Sequence, residues 1–357
     1  KIRYTLFIIL LCSVIAAQTR LHRHWENPDT NQINRMQMRA TSFAFENRDL
    51  ALKNNPELSA RYLNLNGMWK FNWVESPEKR PADFYKTDFD DSKWGSLAVP
   101  ANWEFNGYGI PIYLDEAYEF TNDPNPPDIP DNYNPVGSYR RKFNLPGDWN
   151  GNKIYIHVGA FKSAFYIWVN GKFAGYSEDG KMEAEFDITP FLVPGENLIA
   201  MEGYRWSDGS YLECQDMWRV SGITRDVYLF ARPEIDIWDF NSTATLDEGY
   251  KNGLFSIDLE LFNNLKNKTG NYFASVEIID DAGKTVYSEK KNINETVDKY
   301  RYNKLILFNY IRYGKNDFRE YSEEMKKKVV NFKAVIPNVK KWSAEIPNLY
   351  KIGRAHV

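Results

Sequence analysis

Histidine and cysteine are scarce in this chain, and no sign of charge dominates. The four His (His22, His24, His157, His356) are dispersed and make no zinc-ligand spacing. Of the two Cys, only Cys214 lies outside the first seventeen residues. Lys plus Arg number 45 against 48 Asp plus Glu, a formal net charge of −3. That balance carries neither a nucleic-acid footprint nor a polybasic membrane patch, so neither partner is expected. No apolar run is long enough to span a bilayer comfortably. The chain also lacks the alternating strand–helix text of about 250 residues that a (β/α)₈ barrel needs.

Aromatic residues, by contrast, are plentiful. They make up 16% of the chain, with 11 Trp and 23 Tyr, which favours β structure and carbohydrate surfaces over helical bundles. Lys1 and Arg3 precede a short apolar run and then Ala16–Ala17, the pattern of a signal peptide spanning residues 1–17. Cleavage after Ala17 implies a protein exported by a bacterium, periplasmic or extracellular. An apolar first strand is the other reading. Ile9-Leu10-Leu11 before Cys12 lacks the small residues of a lipoprotein signal. With Cys12 removed, Cys214 has no partner for an intramolecular disulfide.

Residues 18–62 read as an irregular segment with one short helix near Asn47–Lys53. From Gly67 the text becomes β. Trp69 to Val74 alternates with period two, and further strands are expected at Gly137–Phe143, Lys153–Val158, Ala164–Val169 and Ile199–Tyr204. Asn170–Gly171 predicts a type I′ hairpin turn, and Phe89 to Trp94 an acidic turn delivering Trp94 to the core. The Pro-rich residues 121–135 cannot be a central strand. They form either a disordered linker or an extended loop pinned by Tyr118, Phe120 and Tyr133. Ala231-Arg232-Pro233 marks a boundary, so 63–232 reads as one sandwich and 233–351 as a second. Residues 312–328 are charged and read as a solvated insertion with a helical turn or two. The tail 352–357 (IGRAHV) breaks the pattern and reads as non-native, or else as an unstructured end.

The segment Arg205–Val227 (RWSDGSYLECQDMWRVSGITRDV) holds the most chemistry. It sets Asp208, Glu213, Asp216 and Asp226 beside Trp206, Tyr211 and Trp218. Carboxylates accept hydrogen bonds from sugar hydroxyls and bind hard cations, while aromatic rings cover the apolar face of a pyranose. A packed turn with solvated acids is the plainer reading, and the three aromatics also suit loop packing. Cys214 reads as a small packed residue rather than a nucleophile.

This segment resembles the signature of the β-galactosidase branch of glycoside hydrolase family 2. The resemblance runs in order through Trp25–Arg35 (WENPDTNQINR), Leu65–Trp73, Val99–Trp103, Gly107–Tyr113, Asn134–Arg140, Trp168–Tyr176 and Trp342–Tyr350 (WSAEIPNLY). It covers residues 24 to 351. It implies an all-β fold: a galactose-binding-like jelly-roll sandwich, then an immunoglobulin-like sandwich truncated of its last strands.

The same resemblance implies hydrolysis of terminal β-D-galactose from a galactoside substrate with retention, by two Glu on a catalytic barrel. That barrel is missing here, so this polypeptide alone is expected to be inactive, with an exposed sheet edge after Tyr350. A homo-oligomer is implied for the full-length enzyme. Asp208 is implied to contact galactose and a sodium ion. Asn125 is implied to touch the sugar, with Asn122 as rival. Asn27 matches a magnesium-ligand position, although His24 stands where the family carries an acid. A β-glucuronidase, a β-mannosidase and a stand-alone carbohydrate-binding module remain open alternatives.

Overall fold

The computed structural model describes residues 23–115, 117–233, 235–263, 271–300 and 326–356. Residues 1–17, read above as a signal peptide, and most of the charged stretch 312–328 lie outside the described residues. The chain divides into two compact units, Lys1–Met38 with Ala60–Ala231, and Arg39–Ser59 with Arg232–Val357. The segment 18–62 is therefore shared between the units.

In the first unit the strands run in chain order. They are β1 (Gln32–Ile33), β2 (Tyr62–Asn64), β3 (Gly67–Val74), β4 (Gly95–Val99), β5 (Ile112–Leu114), β6 (Val136–Asn144), β7 (Lys153–Val158) and β8 (Phe161–Lys162). Then follow β9 (Ala164–Val169), β10 (Lys172–Ser177), β11 (Ala184–Asp187), β12 (Glu196–Tyr204), β13 (Met217–Arg219), β14 (Gly222–Ile223) and β15 (Val227–Arg232). A seven-stranded antiparallel sheet has the order β1-β10-β9-β12-β6-β3-β4. A four-stranded sheet, β11-β7-β15-β2, lies against it. Their inward residues, among them Trp69, Phe71, Tyr139, Ile156, Ile167, Phe186, Met201 and Leu229, build one core. Asn170 and Gly171 both take positive φ (50° and 77°), as a type I′ turn demands.

Two glycines make room for the largest rings. Gly137 and Gly203 face each other across β6 and β12. A Cβ at Gly203 would lie 1.9 Å from the Phe161 ring, and one at Gly137 would lie 2.4 Å from Trp103. Trp94 is only half-buried, its ring on Phe84 and Phe89, so the acidic turn places it on the margin of the core.

The second unit holds β16 (Ile235–Leu246), β17 (Gly253–Asn263), β18 (Phe273–Ile279), β19 (Thr285–Asn292), β20 (Val297–Tyr300), β21 (Lys326–Ile336) and β22 (Lys351–His356). Its sheets are β16-β17-β21-β20 and β19-β18-β22, closed over Ile257, Leu259, Val276, Val330 and Phe332. The short helix α1 (Arg48–Lys53) is capped by the Asn47 side chain, and Arg48 reaches Glu277 of β18 at 2.9 and 3.1 Å.

Two expectations are corrected here. Lys326–Lys328 open a strand instead of closing a helical turn. Residues 351–356 pair with β18 in register from Ile279↔Lys351 to Ala274↔His356. The edge expected after Tyr350 is thereby covered, and β22 becomes the outer strand. Main-chain pairing asks little of the side chains, so a segment without a recognisable pattern can still complete a sheet.

Candidate functional site

The loop between β12 and β13 rests on two buried arginines at its ends. Arg205 pairs with Glu104 at 3.3 Å and donates to the carbonyls of Ile110 and Arg219. Glu104 also accepts from the Ser221 amide and hydroxyl, each at 2.8 Å. Arg219 donates to the carbonyls of Glu213 and Leu114 and lies 3.7 Å from Glu119. These bonds tie the loop to the 104–119 segment. A buried charge holds its place only with partners of this kind.

Within that frame, Asn134 clamps Trp206 from both sides. Its carbonyl oxygen accepts from the Trp206 amide, and its amide donates to the Trp206 carbonyl, each at 3.0 Å. Ser207 and Ser210 form a reciprocal cap at the start of a 3₁₀ turn, Asp208–Tyr211. The Ser163 hydroxyl, between β8 and β9, lies 2.6 Å from that of Ser207. The turn is therefore fixed before any ligand arrives.

Asp208 opens this turn, its Oδ1 accepting from the Gly209 amide at 2.8 Å. Its carboxyl meets that of Glu178, at the end of β10. Burial, with the Asp208 charge beside it, pushes the Glu178 carboxyl up to about 9. Burial raises Asp208 as well. At neutral pH Glu178 therefore keeps its proton and hydrogen-bonds to Asp208. The Tyr176 hydroxyl donates to the other side of Glu178. Two carboxyls held together in this way suit a hard cation, which would replace the shared proton. Among the described residues no group of three or more His, Cys, Asp or Glu converges on one point, so other oxygens would have to complete the shell.

The Pro-rich loop is pinned to the same turn. Phe120 and Tyr133 each lie 5.6 Å from Trp206, and Tyr118 and Phe120 each lie 5.0 Å from Tyr211. The Tyr211 hydroxyl donates to the Asp128 carbonyl at 2.7 Å. Asp128 closes a turn on Asn125, whose amide reaches Asp128 Oδ2 at 2.9 Å. Asn125 and Asn122 are both exposed, and this chain of bonds ties Asn125 back to the Asp208 turn.

The other candidates fall elsewhere. Asn27 donates to Thr30 at 3.1 Å and accepts from the Asp29 amide, leaving its carbonyl oxygen one further lone pair. The turn His24–Glu26 just before it lies against Asp208–Tyr211. The His24 ring sits 3.0 Å from the Tyr166 hydroxyl. Glu213 accepts from the Gly180 amide at 2.7 Å, and its Oε2 is buried without a hydrogen-bond partner. Asp216 accepts from the Tyr113 hydroxyl at 2.6 Å. Trp206 is buried, whereas Trp218 is 54% exposed, flanked by Phe105 and Tyr113. Cys214 donates to the Ala117 carbonyl, and burial raises its thiol, the opposite of nucleophile activation.

Sequence reasoning missed Glu178. It lies thirty residues before Asp208 in a strand end that reads as ordinary edge text, and only the pairing of β10 into the sheet brings it there.

Residues 62–233 match the family model described as glycosyl hydrolases family 2, sugar binding domain, and residues 235–353 match that for glycosyl hydrolases family 2. A β-galactosidase of Priestia megaterium is 37% identical over 328 residues, 91% of this chain and 29% of the relative. One from Vibrio vulnificus is 42% identical over 235 residues, 66% of this chain and 22% of the relative. The chain thus spans under a third of the length of these relatives. Among solved structures, a Bacteroides uniformis β-glucuronidase covers 83% of this chain and 30% of its own, with a TM-score of 0.59 at 20% identity. A Bifidobacterium dentium β-glucuronidase covers 83% of this chain and 45% of its own, with a TM-score of 0.56 at 17% identity. Likeness at that identity establishes the fold alone.

Proposed function

The chain belongs to glycoside hydrolase family 2, and we propose that it forms the non-catalytic leading portion of a β-galactosidase. The observation that carries this reading is the rigid turn at Asp208, with the Asn125 loop pinned to it. An exposed amide and a carboxylate on one fixed platform can orient sugar hydroxyls presented to them. The curated relatives at 34–42% identity that support this choice are all β-galactosidases. The β-glucuronidase alternative draws on fold likeness only.

In this reading Asp208 would hold the sodium ion, with Glu178 as its neighbouring donor. Bound there, the cation would neutralise the pair and stiffen the turn. A magnesium ion would draw on the remaining lone pair of Asn27. The leader at residues 1–17 would direct export, and the enzyme would act as a homo-oligomer.

In this reading the bond-breaking carboxylates would stand on a barrel, and the described residues form none. The pure polypeptide should leave nitrophenyl β-galactoside intact. The same gene read through into a barrel should hydrolyse it at least ten times faster than the glucuronide. A glucuronide preference would overturn the galactosidase assignment.

A further inference from the structure

We propose that Arg23, Trp25 and Glu26 are positioning residues that hold the Asn125 loop in place. The inference rests on the reading of that loop as a sugar contact, and deepens it. The N-terminal strap is anchored at two points before it reaches the loop. Gln32 and Ile33 add to the edge of β10, opposite Ser177 and Tyr176. Trp25 is buried with its ring stacked 4.0 Å from Tyr204. Large buried aromatic contacts of this kind fix a segment at low entropy cost.

From these anchors the strap grips the loop by its base. Glu26 Oε1 accepts from the amide of Ile129, a buried residue, at 3.3 Å. Arg23 pairs with Asp131 and, at 3.3 Å, with Glu78. The Tyr211 hydroxyl, beside the strap, holds the Asp128 carbonyl. Residues 128–131 are thus bonded both to the strap and to the Asp208 turn. Asn125 is the first residue of the turn that Asp128 closes, its carbonyl accepting from the Asp128 amide. The loop's prolines cannot donate to a ladder, so the strap adds its hydrogen bond and ion pair to the ring contacts that Tyr118, Phe120 and Tyr133 make with the Asp208 turn.

Hydrogen exchange of the whole chain tests the grip. Glu26→Ala should speed exchange of the Ile129 amide, and of the neighbouring amides of Asn125, Asp128 and Asp131, by about tenfold, the worth of one such bond. Glu26→Gln should stay near wild type, because its amide oxygen accepts the same bond. Arg23→Met is the second variant, and should loosen the Asp131 end. Melting of the first unit should barely move in any of them. Unchanged exchange in both Glu26→Ala and Arg23→Met overturns the proposal. Binding of isopropyl thiogalactoside, followed by ligand-observed NMR, separates the two readings. Weakening by Asn125→Ala and Glu26→Ala but not by Glu26→Gln is the expected pattern. If Glu26→Ala frees the loop while Asn125→Ala leaves binding intact, the sugar contact fails and the grip stands.

Discussion

The two units solve the same β-sandwich problem with different materials. The first packs Trp69, Trp103, Tyr139, Phe161 and Phe186 into its core and threads buried ion pairs through its loops. The second closes mostly over aliphatic side chains, Ile257, Leu259, Val276 and Val330, with the rings of Phe255 and Phe332, and none of these needs a polar partner. Rings with polar edges and arginines with several donors can be satisfied only in one arrangement, so they specify loop geometry as well as stability. Aliphatic packing stabilises a sheet without saying where its loops must go. The candidate site stands on the first kind of core.

Breaking one buried ion pair should therefore separate the units most clearly. Glu104→Ala strands Arg205, which is 2% exposed, without its carboxylate. The expected loss is about 3–5 kcal/mol in the first unit alone. Most tryptophans lie in that unit, so urea unfolding followed by Trp fluorescence reads it directly. A loss below about 1 kcal/mol would mean the pair is not structural.

A cavity in the second unit should give the converse. Ile257 is fully buried, and Ile257→Ala should cost about 2–4 kcal/mol there, with the Asp208 turn undisturbed. Calorimetry should show one transition falling and the other holding. If both transitions fall together, the units are not independent in stability.

A third contrast is pH-dependent and concerns the carboxyl pair of Glu178 and Asp208, both in the first unit. Glu178 titrates near 4.5 when unfolded and about 9 when folded. Across that window only the folded state holds the proton. The contribution is complete at low pH and is lost as pH rises toward about 9. Unfolding free energy of the first unit should fall over this range, and Glu178→Gln should flatten the slope. Added sodium or magnesium should restore stability at the alkaline end by binding the deprotonated pair. A slope that Glu178→Gln leaves unchanged would assign the pH dependence to other groups.

Much of this was legible in the chain. Alternation in Trp69–Val74 and the Asn170–Gly171 turn record strand and hairpin directly, because burial of one face imposes period two, whereas Ala164–Val169 is apolar throughout and covered on both faces. Asn47 announced its helix by capping it. Asp208 could be chosen because a long ordered motif surrounds it, whereas Asn125 was the best match in a loop longer than the family pattern, with Asn122 as rival. Trp218 stayed open between sugar platform and loop packing, because a tryptophan in a loop has no periodicity to show which way it faces; it stands exposed with its ring against Phe105 and Tyr113. The strand at 351–356 was missed because main-chain pairing leaves no side-chain signature.

The sequence by itself determined the all-β class, the boundary near Pro233 and the inventory of the loop at 205–227. Only the tertiary structure decided that Glu178 would face Asp208, that residues 39–59 would join the second unit, and that the strap would reach Ile129. The reason is that local pattern records which face of a strand is buried, whereas the identity of what lies opposite is fixed by register and sheet order, across tens or hundreds of residues.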